Sequence, residues 1–164
     1  MVNTTEHLRR RTLLQLGLTS AVGGLPLLAL GTTATQPVIE VWKTPTCGCC
    51  HDWIKHLQTN GYAVKTHDVS DATKRDYRLR LGLADKFGSC HTALVGGYLL
   101  EGHVPARDIQ RLLKEKPRAL GLAVPGMPVG SPGMDGPEYG GRKAPYDVLL
   151  VQRGGSASIY QSYR

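Results

Sequence analysis

Val38-Ile39-Glu40-Val41-Trp42-Lys43-Thr44-Pro45-Thr46-Cys47-Gly48-Cys49-Cys50 is the stretch that decides how the rest of the chain reads. It opens as a short, mostly apolar β-type run through Trp42, and Thr44-Pro45-Thr46 breaks that run. Three cysteines follow in four positions. Trp53, Ile54 and Leu57 then recur at helical spacing, and Asn60-Gly61 supplies a stop. The thiols therefore stand between a strand and a helix expected from about Cys50. Thiolates at the first turn of a helix lie in the positive end of its dipole, which lowers their pKa and suits them to nucleophilic or soft-metal chemistry. The fourth and last cysteine, Cys90, lies forty residues on and is followed by His91.

Further along, Tyr62 to Val69 alternates as a second strand. Ser70 or Asp71 can cap a helix that Gly82 stops. His91 to Val95 and Tyr98 to Glu101, joined by Gly96-Gly97, have a hairpin pattern. Pro105 opens a helix with Ile109, Leu112 and Leu113 on one face, and Pro117 ends it. The order strand, helix, strand, helix, hairpin, helix, with cysteines after the first strand, is the thioredoxin-like layout. Folds of that type place a cis-proline at the start of the third strand, and His91 falls at that position. By this alignment Cys90 and His91 lie beside Cys47, Cys49 and Cys50. From Gly121 to Gly141 the chain is dense in Gly and Pro, and reads as a long irregular loop without helix or central strand. Tyr146–Val151 and Ala157–Tyr160, divided by Gly154-Gly155, form a closing hairpin. The expected fold class is α/β: thioredoxin-like, a central mixed sheet flanked by helices, with a Gly/Pro-rich loop and a C-terminal β-hairpin.

The chain of 164 residues suits one domain preceded by a leader. Arg9-Arg10-Arg11 is followed by an apolar run to Leu30 and by small residues, the composition of an export signal. Arg10-Arg11-Thr12-Leu13-Leu14 resembles a twin-arginine signal, the route for already folded proteins. The expected division is a signal peptide over 1–34 and a domain over 35–164, in an exported, periplasmic protein. An uncleaved anchor is the rival reading, since the run is about long enough to span a bilayer; Gln15, two adjacent glycines and Pro26 weaken it. Removing Glu6 and the three leader arginines leaves 17 basic residues against 12 acidic, near +5 in place of +7. The basic residues (Lys43, Lys55, Arg78, Arg107, Arg142) are scattered without aromatic interleaving. They read as a solvated surface, and nucleic acid is not an expected partner. All four cysteines stay in the exported part, where disulfides persist.

On a helix, Cys47 and Cys50 share a face and Cys49 is displaced. A thiol–disulfide oxidoreductase needs only the first two. A metal site uses all of them: three thiolates at one helix start plus Cys90 from a facing turn, a set that selects Cu(I), zinc or an iron–sulfur cluster. Bunched ligands argue against structural zinc, which takes two separated pairs, and the spacing does not favour an iron–sulfur cluster. A purely structural disulfide framework has three possible pairings. His91 and His51, each directly after a cysteine, are candidates at the rim. His56 and His67 read as surface residues, and His103 as a turn residue. Met127 and Met134 carry thioethers suited to Cu(I), although a loop Met more often packs.

Val41 to Cys50, Ser89-Cys90-His91-Thr92-Ala93, Gly102-His103-Val104-Pro105 and the loop from Gly126-Met127-Pro128 to Gly133-Met134 together resemble the CopG-type copper-resistance proteins. This is the exported family catalogued as domain of unknown function 411, distinct from the DNA-binding repressors that share the name. The resemblance covers about residues 38 to 163. It implies a periplasmic, thioredoxin-like protein of copper resistance that holds several Cu(I) ions through Cys47, Cys49, Cys50 and Cys90. It also implies redox interconversion of copper, with the same cysteines as redox-active candidates and a copper-handling or redox protein as partner. His91, Met127 and Met134 are the further candidate ligands.

Overall fold

The structure, a computed structural model, describes residues 36–164. The expected leader over 1–34, with its twin-arginine-type motif, lies outside the described residues. The strands are β1 (Ile39–Lys43), β2 (Val64–Asp68), β3 (His91–Val95), β4 (Tyr98–Glu101), β5 (Gly121–Ala123), β6 (Tyr146–Val151) and β7 (Ala157–Tyr163). The helices are α1 (Gly48–Thr59), α2 (Asp71–Arg80) and α3 (Ala106–Glu115). One mixed sheet runs in the order β2-β1-β3-β4-β5-β6-β7. Helix α1 crosses between the parallel pair β1/β2, and α3 crosses between the parallel pair β4/β5; the other neighbours are antiparallel. A mixed sheet flanked by helices is the expected fold class, and the closing hairpin is β6–β7.

Alternating side chains separate two apolar layers. On one face, Trp53 and Leu57 of α1 and Ile109 and Leu112 of α3 pack with Val41, Ala93, Leu100 and Leu122 of the sheet. On the other, Leu83 and Phe87, which follow α2, pack with Leu99, Ala123 and Val151. Adjacent residues of β4, Leu99 and Leu100, thus belong to different layers.

Two expectations change. The density of Gly and Pro predicts no helix or central strand from Gly121 to Gly141, yet the first three residues of that stretch form β5, fifth of seven in the sheet, and Pro137–Tyr139 form a single 3-10 turn. The β5 residues precede Pro125, the first proline of the stretch, and Gly121 lets the strands close up: any Cβ there would run into the Leu99 carbonyl. The basic residues are also not uniformly solvated, because Lys43, Lys74 and Arg78 are buried. Lys43 Nζ donates to Asp68 at 2.7 Å.

Arg78 pairs with Glu101, whose side chain is fully buried, at 3.1 Å, and with Asp85 at 2.8 Å. Glu101 accepts two further bonds, from the Ser89 N–H and the Thr92 hydroxyl, both at 2.7 Å. One carboxylate therefore ties α2, β4 and the turn before β3 together. Burial pushes Glu101 up to about 6, against the pull of Thr92, Ser89 and Arg78. Arg78→Met leaves this carboxylate without its cation and should cost about 3–5 kcal/mol. Because the folded-state value lies above the ordinary carboxylate value of 4.5, Glu101's own contribution is present below about pH 4.5 and is lost as pH rises through about 6. Removing Arg78 raises that value further, so urea unfolding of the variant should show a larger deficit at pH 7.5 than at pH 5. An equal deficit at both would contradict the assignment.

Candidate metal centre

Helix α1 begins at Gly48, two residues earlier than its apolar spacing indicates. Cys47 is its N-cap, in extended conformation, and Cys49 and Cys50 lie in its first turn, which contains no acidic residue to oppose the dipole. Cys47 and Cys50 are joined in a disulfide with Cα atoms 5.3 Å apart. Cys49 is a free thiol whose Sγ stands 3.6 Å from that of Cys47 and 3.7 Å from that of Cys90. All four Sγ atoms lie within 4.8 Å of one another. Cys49 is thus displaced from the disulfide and turned toward the facing strand.

Cys90 lies just before β3, and the hairpin decides what it meets. The pairs Val95↔Tyr98 and Thr92↔Glu101, carried two residues outward, set Cys90 opposite His103; the Gly102 N–H donates to the His91 carbonyl at 3.0 Å along the way. His103 Nε2 lies 3.1 Å from Cys90 Sγ, and His91 Nδ1 lies 3.2 Å from it. The far nitrogens face carbonyls: His91 Nε2 faces Gly102 O at 2.9 Å, and His103 Nδ1 faces Pro132 O at 2.8 Å. A carbonyl accepts only, so those nitrogens carry the hydrogens, and both rings aim lone pairs at one sulfur. Cys90, His91 and His103 form a second group with ligand atoms within 4.8 Å.

Burial holds His91 well below the ordinary imidazole range, with His103 adding to the effect. Burial also lowers His103. Cys90 is pushed up to about 12, by burial first and then by Cys49. Both rings are therefore neutral and Cys90 is a thiol, whose single hydrogen can serve only one of two facing lone pairs.

The remaining candidates divide. Met127 is exposed, with its thioether 4.0 Å from Cys49 Sγ. Met134 is buried, and its sulfur accepts from the Tyr139 hydroxyl at 3.3 Å. His51 is exposed on α1. His56 accepts from the Ala106 N–H at 3.1 Å, and His67 bonds Glu40 and stacks on Trp42, so neither is a bare surface residue. His103, read as a turn residue, is fully buried against Cys90. Counting the antiparallel register outward from Gly96-Gly97 would have found it. Trp53 supports the group from α1, its ring 4.2 Å from that of His91 and its Nε1–H donating to Val104 O at 2.8 Å.

A thioredoxin-like domain with four sulfurs and two neutral imidazoles at the start of its first helix is what the fold and site define. The family model for a protein of unknown function, DUF411, matches residues 87–134. Two solved structures share the fold, titled copper resistance protein CopG, form 1 and form 2. Form 1 is 45% identical with TM-score 0.70, the match covering 78% of this chain and 98% of that one. Form 2 is 46% identical with TM-score 0.71, covering 79% and 99%. No curated protein matches the chain by sequence. The chain belongs to the CopG copper-resistance family.

Gly133 holds the Gly/Pro loop on the first turn of α1. Its φ is +85°, and a Cβ there would stand 2.6 Å from Cys49 O and 2.7 Å from Trp53 N. Gly133→Ala should lower stability by about 1–3 kcal/mol in thermal unfolding. It should also free His103 from Pro132, so the Nδ1–H tautomer seen by 15N NMR should give way to a mixture. An unchanged tautomer would show that the loop does not orient the ring.

Proposed function

We propose that this chain is an exported, periplasmic protein of copper resistance that holds Cu(I), as a cluster of several ions, through Cys47, Cys49, Cys50 and Cys90. The observation that carries this is the position of Cys49 Sγ, between the Cys47–Cys50 pair and Cys90 and within 4.0 Å of three other sulfurs, the Met127 thioether included. Disulfide exchange has no use for a thiol there. Copper(I) does, because soft thiolates and thioethers are its preferred donors. Sulfurs spread over one helical turn and a facing strand suit bridging between ions better than one tetrahedral centre. The lone pairs of His91 and His103, aimed at Cys90, suit a cation as well. The likeness to copper resistance proteins at 45% and 46% identity supports the choice of metal.

Thiol state and copper load are coupled in this reading. Opening the Cys47–Cys50 bond takes two electrons from a reducing dithiol, which is itself oxidised to a disulfide, and yields two thiolates for the metal. Closing it passes two electrons to an oxidised partner disulfide, which is reduced to a dithiol, and removes those two ligands. Among the described residues no helix is long and apolar enough to cross a membrane.

Anaerobic Cu(I) titration of the fully reduced protein against a competing chelator tests the proposal. More than one Cu(I) per chain is expected, with fewer for Cys49→Ser and fewer again once the Cys47–Cys50 disulfide is formed. One equivalent or less, or a Cys49→Ser variant with unchanged stoichiometry, sinks the cluster.

The Cys47–Cys50 disulfide itself favours a second reading, a thiol–disulfide oxidoreductase without a metal role. On that reading Cys49→Ser and Cys90→Ser keep full metal-free disulfide reductase activity, whereas Cys47→Ser and Cys50→Ser abolish it. The copper reading expects feeble reductase activity in the wild type. Turnover of a model disulfide with the metal chelated separates the two.

A further inference from the structure

The thiols occupy one pole of the sheet, where β1 ends and β3 begins. At the other pole a cleft of about 1210 Å³ opens between the Gly96-Gly97 turn, the end of α3 and the turn from Gln152 to Gly154. Strands of five residues separate the two poles, roughly 17 Å. Half-buried Tyr98 and Leu113 line the cleft, and the Tyr98 hydroxyl donates to Pro117 O at 2.9 Å. Its charged lining residues are Lys116, Arg118 and Arg153, all exposed, with no acidic residue among them. None of the three has an ion-pair partner among the described residues. Glu115, next along α3, is engaged by Arg111 at 2.8 Å and by the Tyr160 hydroxyl at 2.9 Å.

Two further observations bear on the occupant. Lys116 caps α3 with φ +49°, and it is the one non-glycine residue of positive φ among those described. Glycine is the ordinary occupant of such a cap, so a lysine kept there against backbone strain points to a use for its side chain. Pro37 lines the same cleft. In the sequence it stands seven residues after Leu30, where the apolar run ends, and seven residues span at most about 25 Å. The chain therefore enters the domain at this cleft, directly after an apolar run about long enough to span a bilayer.

We propose that this cleft is a docking surface for an anionic phospholipid bilayer, which the domain meets with its Lys116–Arg118–Arg153 pole. The three cations face the headgroup phosphates, and the thiol pole points away from the membrane. An acidic protein segment would satisfy the charge, but it would leave the entry of the chain at this pole without a role.

Residues 36–164 suffice for the test. The solved relatives are matched over 98% and 99% of their own chains by 78% and 79% of this one, so a domain of this extent folds by itself. Co-sedimentation at low salt compares vesicles of mixed phosphatidylglycerol and phosphatidylcholine with vesicles of phosphatidylcholine alone. The domain should bind the anionic vesicles, and the triple variant K116Q/R118Q/R153Q should bind them about 100-fold more weakly, at roughly fivefold in affinity for each basic residue near a charged surface. The variant K55Q/R142Q/K143Q carries the same change of charge elsewhere and should lose far less. A paramagnetic lipid should broaden the amide signals of Gly96, Gly97 and Gly154 and leave Cys49 sharp. Equal losses from both triple variants, equal binding to neutral vesicles, or tighter binding of a soluble poly-glutamate peptide than of the vesicles overturns the proposal.

Discussion

The antiparallel register of the β3–β4 hairpin is the constraint on which the site depends. The two glycines at its turn, Gly96 and Gly97, both have positive φ and so fix which residues face each other. Thr92 faces Glu101, and the same count sets His91 against Gly102 and Cys90 against His103. Each of these pairings has a task. At the first, a buried carboxylate gathers Arg78, Ser89 and Thr92. At the second, a carbonyl sets the tautomer of His91. At the third, a thiol meets an imidazole at 3.1 Å. A slip by one residue would turn every one of these side chains to the opposite face of the sheet.

Helix α1 supplies the other half, and its contribution is positional. With Cys47 as N-cap, the disulfide draws Cys47 and Cys50 together, and Cys49 turns toward Cys90. Trp53, one turn on, fills the space beneath with its ring on His91. The Gly/Pro loop closes the arrangement from above. Its Pro132 carbonyl fixes His103, its Gly133 lies on α1 where no side chain fits, and its Met127 reaches Cys49. The segment from Met127 to Gly133 is thereby held at three points by the groups it orients.

Much of this was legible in the chain. The strand before Cys47, the helix after it, the hairpin at Gly96-Gly97 and the approach of Cys90 to the cysteine cluster all follow from periodicity and turn chemistry. What escaped had non-local causes. Strand β5 is three residues long, too short to show a period, and its place is set by neighbours on both sides. Lys43 and Arg78 carry no sign of burial in the sequence, because their partners Asp68 and Glu101 lie over twenty residues away. His103 looked like a turn residue because it follows a glycine and precedes a helix; only the register reveals the sulfur opposite. Met134 carries the same thioether as Met127, and its sulfur accepts from the Tyr139 hydroxyl. Residue type alone could not tell it from Met127.

The protons on this site bear on which chemistry it performs. A dithiol exchanger needs thiolate, and the start of α1 is well placed to supply it for an opened Cys47–Cys50 pair. Cys90 is different. With its pKa pushed up to about 12 by burial and by Cys49, it is a thiol at neutral pH. Such a group neither attacks a disulfide at a useful rate nor leaves one readily. A soft metal ion would change the balance, because its charge would replace the proton on Cys90 and meet the His91 and His103 lone pairs that a single S–H cannot satisfy. Deep burial beside two neutral imidazoles is thus a handicap for a nucleophile and an advantage for a ligand. The same burial that would slow Cys90 in exchange chemistry would suit it to hold a soft cation.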